Sequence, residues 1–281
     1  MNYRNIIDQG TIILKKNFIS TPNIDSELLL SKTLNKPREK ILLNLENILT
    51  LKQIIKYRKY INQRKQRVPM SIILGKKSFY DIDFLVNNKV LTPRFETEIL
   101  VEELLKYFKF CSKINILDVG LGSGCILISL LKKESGWTGT GIDISSSALD
   151  IAKTNAKIQH VYNRIRFINS DVDKFCIGKY DLIVSNPPYI NKIGYNNLDI
   201  GVKGFEPITA LYGGVDGLRI IRKVINKSKV LLKKGGILAM EIGLGQSYKV
   251  SDLLKSNGFF VSRVIKDYQG IKRFIFSIKI K

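Results

Sequence analysis

From residue 115 to residue 278 the chain alternates short apolar segments of strand length with longer amphipathic segments of helix length. Strands that are apolar throughout are typical of a sheet covered by helices on both faces, and this alternation predicts parallel strands joined by helical crossovers. The predicted strands cover residues 115–119, 139–144, 165–169, 180–185 and 236–242, a segment around Val261, and residues 274–278. The predicted helices cover residues 96–110, with Thr92 as a candidate cap, and residues 125–133, 147–157, 218–232 and 247–257. Because no helix separates the last two strands, we expect them to form an antiparallel edge.

The first 75 residues have a different pattern, in which apolar side chains recur at helical spacing. This predicts four or five short helices, with breaks at Thr21-Pro22-Asn23 and Asn35-Lys36-Pro37, since proline disfavours helix in the residue before it. From Phe79 to Val90 the apolar residues nearly alternate, which predicts a β-hairpin interrupted at Asn87-Asn88. We therefore predict a helical domain over 1–75, a hairpin linker over 76–95 and an α/β domain over 96–281.

The net charge of +22, from 46 Lys and Arg against 24 Asp and Glu in 281 residues, suggests a nucleic-acid partner. Only 12 of the 46 basic residues are Arg, the side chain best suited to bidentate contacts with phosphates and bases. Residues 47–80 contain no acidic side chain and nine basic ones: Lys52, Lys56, Arg58, Lys59, Arg64, Lys65, Arg67, Lys76 and Lys77. We favour a solvated or partner-facing basic helix here over a dedicated nucleic-acid surface.

Several classes of protein are disfavoured by what the sequence lacks. The three cysteines, Cys111, Cys125 and Cys176, form no CxxC pair, so we predict neither a disulfide framework nor a metal site. The one histidine, His160, stands in a polar stretch typical of a surface residue, which disfavours catalysis by a Ser-His-Asp or Cys-His arrangement. No apolar run approaches the roughly 18 residues of a membrane span, and no signal peptide is recognisable. We expect a cytoplasmic monomer with no membrane partner.

The first candidate binding element is a glycine-rich turn, Asp118-Val119-Gly120-Leu121-Gly122-Ser123-Gly124, between a predicted strand and a predicted helix. Glycines there let a ligand approach the backbone, and the helix N-terminus offers free N–H groups. Cys125 stands where the dinucleotide fingerprint G-x-G-x-x-G needs glycine, which disfavours a pyrophosphate. The turn suits S-adenosylmethionine, whose amino-acid end carries a carboxylate and an ammonium. A merely tight turn remains the alternative.

Two carboxylates follow the next two predicted strands. Asp143 ends the second strand, where it can accept both ribose hydroxyls of an adenosine; the alternative is that it caps the helix that starts near Ser147. Asp171 follows the third strand, at the place where adenine would lie, and a role as a turn residue is as well supported.

The strongest signal is Asn186-Pro187-Pro188-Tyr189, directly after the predicted strand 180–185. Ligands of such sheets bind outside the carboxyl ends of the strands, so this segment belongs over the same pocket as the glycine-rich turn. The two prolines hold the backbone so that the Asn186 side-chain oxygen and the Pro187 carbonyl can accept hydrogen bonds from one planar NH2 group. Tyr189 can stack on the flat group that carries it. Catalysis at such a nitrogen would depend on orientation and preorganised acceptors rather than on a strong base.

In this order the motifs resemble those of class I methyltransferases that act on planar nitrogens. Within that group the chain resembles, over nearly its whole length, the HemK/PrmC family, which methylates the glutamine of the Gly-Gly-Gln motif in class I peptide chain release factors. Similar segments upstream are Arg67-Val68-Pro69, Leu74-Gly75, Phe79 and the run Leu91-Thr92-Pro93-Arg94-Phe95-Glu96-Thr97-Glu98. Similar segments downstream are Phe205-Glu206-Pro207, Ala210-Leu211, Gly213-Gly214, Asp216-Gly217-Leu218 and the set Asp267, Gly270 and Arg273.

The resemblance implies an α/β fold of the class I S-adenosylmethionine-dependent methyltransferase type, Rossmann-like, with a mostly parallel seven-stranded sheet, a small all-helical N-terminal domain and a β-hairpin linker. It implies S-adenosylmethionine as the methyl donor and a release factor as the partner, with no need for direct nucleic-acid binding. Donor contacts are expected at Gly120, Leu121, Gly122, Ser123, Gly124, Asp143, Asp171, Val172 and Asn186. Contacts with the substrate glutamine are expected at Asn186, Pro187, Pro188 and Tyr189, with Asn186, Pro187 and Tyr189 as the catalytic set.

The chain departs from the family pattern at Phe95, where proline is usual, at Leu121, where threonine is common, and at Ser71-Ile72. These departures leave the Asn-Pro-Pro-Tyr chemistry unchanged but affect the expected path of the linker. Two other acceptors stay open on the sequence alone. An adenine amino group is also a planar NH2, and ribosomal-protein glutamine methyltransferases are close relatives of this family. A non-catalytic binding module of the same fold is disfavoured, because each expected ligand position is filled.

Overall fold

A computed structural model describes residues 1–280, and the chain divides into two compact units. The first unit comprises Met1–Lys76 together with Asp199–Phe205. The second comprises the other described residues. The sequence-based boundaries, at residues 75 and 95, do not group residues 199–205 with the N-terminal helices. The segment 199–205 is too short to show a periodic pattern of apolar residues.

The first unit is helical, as the spacing of its apolar residues predicts. Its N-terminal segment forms five helices: α1 (Tyr3–Lys16), α2 (Pro22–Leu34), α3 (Arg38–Leu42), α4 (Leu51–Lys65) and α5 (Met70–Leu74). Pro22 opens α2, where its missing N–H costs nothing, and Thr50 begins α4 in a reciprocal capping box with Gln53. The helices bury a shared apolar core that includes Ile6, Leu14, Leu29, Leu30 and Ile61.

The second unit is the predicted α/β domain, preceded by a hairpin. Its strands are β1 (Lys76–Phe79), β2 (Ile82–Leu85), β3 (Asn115–Val119), β4 (Thr138–Asp143), β5 (Ile165–Asn169), β6 (Tyr180–Ser185), β7 (Leu232–Glu241), β8 (Phe259–Lys266) and β9 (Lys272–Lys279). The remaining helices are α6 (Glu98–Tyr107), α7 (Cys125–Lys133), α8 (Ser146–Ile158), α9 (Lys192–Asn196), α10 (Ile200–Lys203, in the first unit), α11 (Ile208–Leu211), α12 (Arg219–Leu231) and α13 (Ser247–Ser256). Two short 3-10 segments cover Phe95–Thr97 and Tyr162–Arg164.

Seven strands form one sheet in the order β5-β4-β3-β6-β7-β9-β8. The pairs from β5 to β7 are parallel, whereas β9 runs antiparallel to both β7 and β8. The prediction of a mostly parallel seven-stranded sheet with an antiparallel edge is confirmed. Two apolar layers cover the sheet, one including Leu100, Leu127 and Trp137, the other including Ile221, Val224 and Leu254.

The strand order places a crevice next to β3. The chain moves outward from β3 to β4 and β5, then returns to lay β6 on the other side of β3. The connections after β3 and β6 therefore leave the sheet in opposite directions, and a crevice opens between them at the carboxyl ends of these strands. The glycine-rich turn follows β3 and the Asn-Pro-Pro-Tyr segment follows β6, so both border this crevice.

Some local predictions are wrong. The hairpin, predicted between Phe79 and Val90, lies over residues 76–85 and turns at Tyr80-Asp81, with φ of 50° and 60° at these two residues. Positive φ at both positions gives the turn a twist that suits a two-residue hairpin, although neither residue is the glycine or asparagine that usually signals it. Thr92 does not cap the next helix, because α6 begins at Glu98 after a 3-10 turn.

Cys111, Cys125 and Cys176 are free thiols, and His160 is exposed. Within residues 1–280, no helix is both long and apolar enough to cross a membrane. The same residues contain no group of His, Cys, Asp or Glu side chains arranged to hold a metal ion.

Candidate active site

A cavity opens at the carboxyl ends of β3, β4, β5 and β6, entirely within the second unit. Of the twelve residues that the sequence assigned to the site, ten line it: Gly120, Leu121, Gly122, Ser123, Asp143, Asp171, Val172, Asn186, Pro187 and Pro188. Gly124 and Tyr189 do not line it. The glycine-rich turn and the Asn-Pro-Pro-Tyr motif thus border one cavity, although 62 residues separate Gly124 from Asn186 in the sequence.

The glycine-rich turn presents bare backbone to the cavity. Gly120, Gly122 and Gly124 have φ of +78°, +56° and +81°, a conformation that L side chains rarely adopt. A Cβ added at Gly120 would meet nothing within 4 Å, because this side of the turn faces open space. Gly124 lies one layer deeper, where it caps α7 and where a Cβ would approach Ile128 Cδ1 to 2.7 Å. The turn is therefore shaped for a ligand that contacts the main chain.

Asp143 lies next to the glycine turn and braces it. One carboxylate oxygen accepts a hydrogen bond from Gly122 N at 2.9 Å, and the other accepts one from Ser145 N at 2.9 Å. It does not cap α8, since Ser145 is the cap and its hydroxyl accepts from Ala148 N. Burial raises the pKa of Asp143, against the effect of these backbone hydrogen bonds. Each oxygen can accept a further hydrogen bond, and Asp143 lines the cavity, which suits a pair of ligand hydroxyls.

Asp171 serves a turn as well as the cavity wall. Its Oδ1 accepts a hydrogen bond from Asp173 N at 3.0 Å, and both of its oxygens lie 3.4 Å from Lys223 Nζ on α12. The Asp173 backbone hydrogen bond, followed by the Lys223 charge, lowers the pKa of this carboxyl despite partial burial. Asp171 is therefore ionised and held in place, with Val172 buried beside it.

Asp118, at the base of the glycine turn, is a buried carboxyl without a partner. Only 1% of the residue is exposed, and neither carboxyl oxygen has a hydrogen-bond partner. Burial, reinforced by the negative charge of Asp143, raises its pKa to about 8. A buried carboxyl of this kind is stabilised by a nearby positive charge. Together with the bare glycine backbone and Asp143, it fits a ligand that carries cationic groups and ribose hydroxyls, as S-adenosylmethionine does.

Asn186 forms the opposite wall of the cavity. Its Nδ2 donates to Thr97 Oγ1 at 3.4 Å, and the Thr97 hydroxyl donates to Glu241 Oε2 at 2.6 Å. With its NH2 group turned toward Thr97, the amide oxygen of Asn186 is left as an acceptor for a ligand. The adjoining Pro187 is buried and fixed by its ring.

Tyr189, whose ring is predicted to stack on the substrate, does not line the cavity. Its hydroxyl donates to Glu241 Oε1 at 3.0 Å, and its ring packs against the core of the second unit. Burial, with the Glu241 charge, raises its pKa well above the usual range. The phenol therefore stays protonated at neutral pH and anchors the end of the tetrapeptide.

The loop after α11 supports the backbone of the tetrapeptide. Gly213 N donates to Ile190 O at 2.9 Å, and the Gln246 side chain donates to Tyr189 O at 3.0 Å and to Gly217 O at 3.3 Å. A Cβ at Gly213 would lie 2.5 Å from Pro188 O. The glycines of the Gly213-Gly214 and Asp216-Gly217-Leu218 segments thus allow this loop to lie directly against the motif.

The segment before α6 is held at the rim of the cavity by an ion pair. Arg94 binds the buried carboxylate of Glu206 at 2.6 Å, and Pro93, Arg94 and Thr97 line the cavity. Phe95, the departure from the expected proline, is exposed and stacks on Tyr268 with ring centroids 5.5 Å apart. Leu121, the other departure in the site, covers Gly141, where a Cβ would meet its side chain at 2.6 Å.

The closing motif has a structural role. Asp267 accepts hydrogen bonds from Gln269 N and Ile271 N at 2.9 Å each, and from Arg273 Nε at 3.3 Å. These bonds shape the turn between β8 and β9, where Gly270 has φ of +80°. Arg273 also donates to Ile242 O, next to Glu241.

The cavity holds no activated nucleophile of its own. Cys125 lines it, but burial raises the pKa of its thiol to about 12, so the thiol stays protonated. His160 is exposed and does not line the cavity. The arrangement can bind and orient two ligands, and it offers hydrogen-bond acceptors rather than a strong base.

Thr97 and Glu241 were not assigned to the site from the sequence. Glu241 ends the apolar strand β7, and a carboxylate in such a segment is the signal that could have found it. Thr97 belongs to the Glu96-Thr97-Glu98 segment, which carried no assigned role. Their pairing spans 144 residues and depends on the sheet order, so no local pattern indicates it.

Two protein-family models match the sequence. The PrmC N-terminal domain matches residues 5–75, and the methyltransferase small domain matches residues 95–201. A release factor glutamine methyltransferase of Caulobacter vibrioides is 37% identical over 95% of this chain and 92% of its own length. A release factor glutamine methyltransferase of Clostridium acetobutylicum is 36% identical over 91% of this chain and 90% of its own length.

Among solved structures, the ribosomal protein L11 methylase of Lactobacillus delbrueckii subsp. bulgaricus has a similar fold. It superposes with a TM-score of 0.50 at 19% identity, covering 67% of this chain and 80% of that one. At this identity the likeness concerns the fold alone.

Proposed function

The chain belongs to the family of release factor glutamine methyltransferases, and on that premise we propose that it methylates the glutamine of the Gly-Gly-Gln motif in class I peptide chain release factors. It is an S-adenosylmethionine-dependent methyltransferase. The acceptor atom is the side-chain amide nitrogen, N5, of that glutamine. The observation that carries the proposal is that Asn186 and Pro187 line the same cavity as the glycine turn and Asp143.

S-adenosylmethionine, when bound, supplies a methyl group on a positively charged sulfur. The residues that would hold it are the glycine turn, Asp143, and the pair Asp171 and Val172. The N–H groups of Gly120, Leu121, Gly122 and Gly124 already donate within the protein, so what the turn offers a ligand is the open space over its bare main chain at Gly120. Asp143 offers carboxylate oxygens for ribose hydroxyls. Asp118, buried under the turn and protonated in the free protein, would ionise when a positive charge binds nearby, which favours a cationic ligand.

The protein's task at the acceptor is orientation. An amide nitrogen is a weak nucleophile because its lone pair is delocalised into the carbonyl group. The Asn186 side-chain oxygen and the Pro187 carbonyl accept the two N–H protons of the substrate and so aim the nitrogen lone pair at the methyl carbon. Methyl transfer to this nitrogen would leave the carbon–sulfur electron pair on the sulfur, and one of the N–H protons hydrogen-bonded by Asn186 and Pro187 would pass to water.

The helical unit is proposed to recognise the release factor outside the Gly-Gly-Gln motif. Its helix α4 carries Lys52, Lys56, Arg58, Lys59 and Lys65 on exposed positions. The exposed apolar side chains of Leu51 and Ile55 lie on the same helix. A surface that combines positive charge with apolar side chains suits an acidic protein partner.

The proposal is tested by incubating the purified protein with S-adenosylmethionine that carries a labelled methyl group. A class I release factor should be labelled, and its Gln→Ala variant in the Gly-Gly-Gln motif should not. Total RNA, DNA and ribosomal proteins are offered in parallel reactions. Label in a nucleic acid would indicate an adenine amino group as the acceptor, and label in a ribosomal protein would indicate a different glutamine.

A further inference from the structure

Glu241 holds both ends of the Asn186–Tyr189 segment. Its Oε1 accepts the Tyr189 hydroxyl at 3.0 Å, and its Oε2 accepts the Thr97 hydroxyl at 2.6 Å. Glu241 and Thr97 are 2% and 1% exposed, so water does not compete for these bonds. Thr97 Oγ1 is in turn 3.4 Å from Asn186 Nδ2. One buried carboxylate is thus connected directly to Tyr189 and through one hydroxyl to Asn186.

The direction of these hydrogen bonds follows from their chemistry. Burial raises the pKa of Glu241, but the hydroxyls of Thr97 and Tyr189, one on each oxygen, and the charge of Arg273 favour the ionised carboxylate. An ionised carboxylate only accepts, so the Thr97 hydroxyl gives its proton to Glu241. The Thr97 oxygen then faces Asn186 with lone pairs alone, and only the NH2 end of the Asn186 amide can bind it. The amide oxygen is left on the other side, toward the cavity that Asn186 lines.

The two orientations of an asparagine amide have nearly the same shape, so packing distinguishes poorly between them. They have opposite hydrogen-bonding character, because one presents an acceptor to the substrate and the other presents a donor. A donor facing the NH2 group of a glutamine would leave both groups without an acceptor. A hydrogen bond to a buried charged group is strong enough to select between the two.

We propose that Glu241 and Thr97 are positioning residues that fix the Asn186 amide with its oxygen toward the substrate NH2 group. The inference rests on the proposed function, since it concerns how the same site distinguishes an amide acceptor. Glu241 sets the polarity of the hydrogen bonds, Thr97 transmits it to Asn186, and the bond to Tyr189 fixes the other end of the segment. Neither Glu241 nor Thr97 takes part in the chemical step.

The test compares Thr97→Val, which removes the hydroxyl at nearly constant shape, with Thr97→Ser, which keeps it. In the Val variant kcat for release factor methylation should fall by about 100-fold, the loss typical of a misoriented reacting group. The Kd of S-adenosylhomocysteine and the melting temperature should change little. The Ser variant should restore most of kcat. Glu241→Gln, which has one acceptor oxygen for two hydroxyls, should also lower kcat with little change in the Kd of S-adenosylhomocysteine.

A competition experiment separates polarity from packing. A release factor whose Gly-Gly-Gln glutamine is replaced, Gln→Glu, presents a carboxylate, which needs donors rather than acceptors. If the Asn186 amide rotates freely in Thr97→Val, this competitor should inhibit that variant more strongly than it inhibits the unaltered enzyme. If Thr97 has only a structural role, Thr97→Val should bind the release factor and its Gln→Glu competitor more weakly by the same factor.

The outcomes are distinct. Absence of glutamine methylation by the unaltered enzyme would overturn the proposed function itself. Full activity of folded Thr97→Val, or failure of Thr97→Ser to restore activity, would overturn the positioning role while leaving the proposed function intact. If Thr97→Val does not fold, the kcat values of Thr97→Ser and Glu241→Gln decide. A lower kcat in Glu241→Gln together with a retained kcat in Thr97→Ser supports the proposal, and any other result contradicts it.

Discussion

Gly217 lies so close to the main chain of Tyr189 that a Cβ added at position 217 would come within 2.3 Å of the Tyr189 carbonyl oxygen. The loop that carries Gly217 therefore cannot hold a side chain there without displacing the Asn-Pro-Pro-Tyr backbone. Gly217 also has φ of +76°, so two separate reasons require glycine.

Gly217→Ala should lower both stability and activity. The positive φ alone costs about 1–2 kcal/mol for a residue with a Cβ, and the clash with the Tyr189 carbonyl adds to that loss and moves the acceptor site. Gly235→Ala is a matched control, because Gly235 has φ of +77° and nothing within 4 Å of an added Cβ. Thermal melting and methyl-transfer rates of both variants check this. Equal losses of activity in the two would contradict the contact with Tyr189.

Asn186→Ala should abolish turnover and spare the donor. Loss of one preorganised hydrogen-bonding group at a reacting centre costs about 100-fold or more in kcat. The donor is held mainly on the opposite wall, at the glycine turn and Asp143, so the Kd of S-adenosylmethionine by calorimetry should change little. Turnover close to that of the unaltered enzyme would show that the acceptor role of Asn186 is wrong.

Asp143→Ala should weaken donor binding. Hydrogen bonds to a charged group contribute about 1.5–3 kcal/mol each, which corresponds to roughly a 10-fold to 100-fold increase in Kd. Asp150→Ala is the control. It removes an exposed carboxylate on α8 and should leave Kd unchanged. Calorimetric titration with S-adenosylhomocysteine measures both. Unchanged affinity in Asp143→Ala would place the ribose elsewhere.

The stability of the free protein should fall as pH rises between about 4 and about 8, partly because of Asp118. Its pKa is about 8 in the folded protein against 3.8 ordinarily, so the unfolded chain loses this proton at lower pH than the folded one. The unfolded state then binds fewer protons, and the unfolding free energy decreases by at most about 1.4 kcal/mol per pH unit for one group.

Asp118→Asn removes that titration while keeping the shape of the side chain. Urea unfolding at several pH values should therefore give a flatter pH dependence for the variant than for the unaltered protein. Asp143 and Glu241, whose pKa values burial also raises, contribute slopes of the same sign in both proteins. An identical slope in the two proteins would show that Asp118 is not protonated in the folded state.

The exposed lysines of α4 give a prediction about the partner. Replacing Lys56, Lys59 and Lys65 by Glu should raise KM for the release factor and remove most of its salt dependence, because these exposed charges attract an acidic partner. The kcat should change little. Lys234, Lys249 and Lys255, exposed in the second unit, provide a control with the same change in charge. If both sets of substitutions change KM and its salt dependence equally, the lysines of α4 have no special role in binding and the positive charge reflects composition alone.

The sequence indicates the sheet well because the signals for it are local. Several elements agree residue for residue with their predicted bounds, among them β3, β5, β6 and α7. The glycine turn, Asp143 and Asn186 could be assigned to one cavity because the carboxyl ends of parallel strands share one edge of a sheet. The turn at Tyr80-Asp81 could not be predicted, since tyrosine rarely adopts positive φ and no glycine or asparagine marks the turn.

What the sequence could not indicate depends on distant contacts. The assignment of Tyr189 to substrate stacking considered the ring and its neighbours in the motif. The structure instead directs its hydroxyl to Glu241 at the end of β7. Likewise, the proposed role of Thr97 arises only because β7 lies beside β6, which brings Glu241 close to the start of α6.

The most direct test of the central claim is the transfer of labelled methyl from S-adenosylmethionine to a class I release factor, with the labelled residue identified by mass spectrometry. We expect one methyl group on the side-chain nitrogen of the Gly-Gly-Gln glutamine, and none when that residue is replaced by alanine. Label on another residue, on RNA or on DNA, or label that persists after the Gln→Ala substitution, would contradict the account.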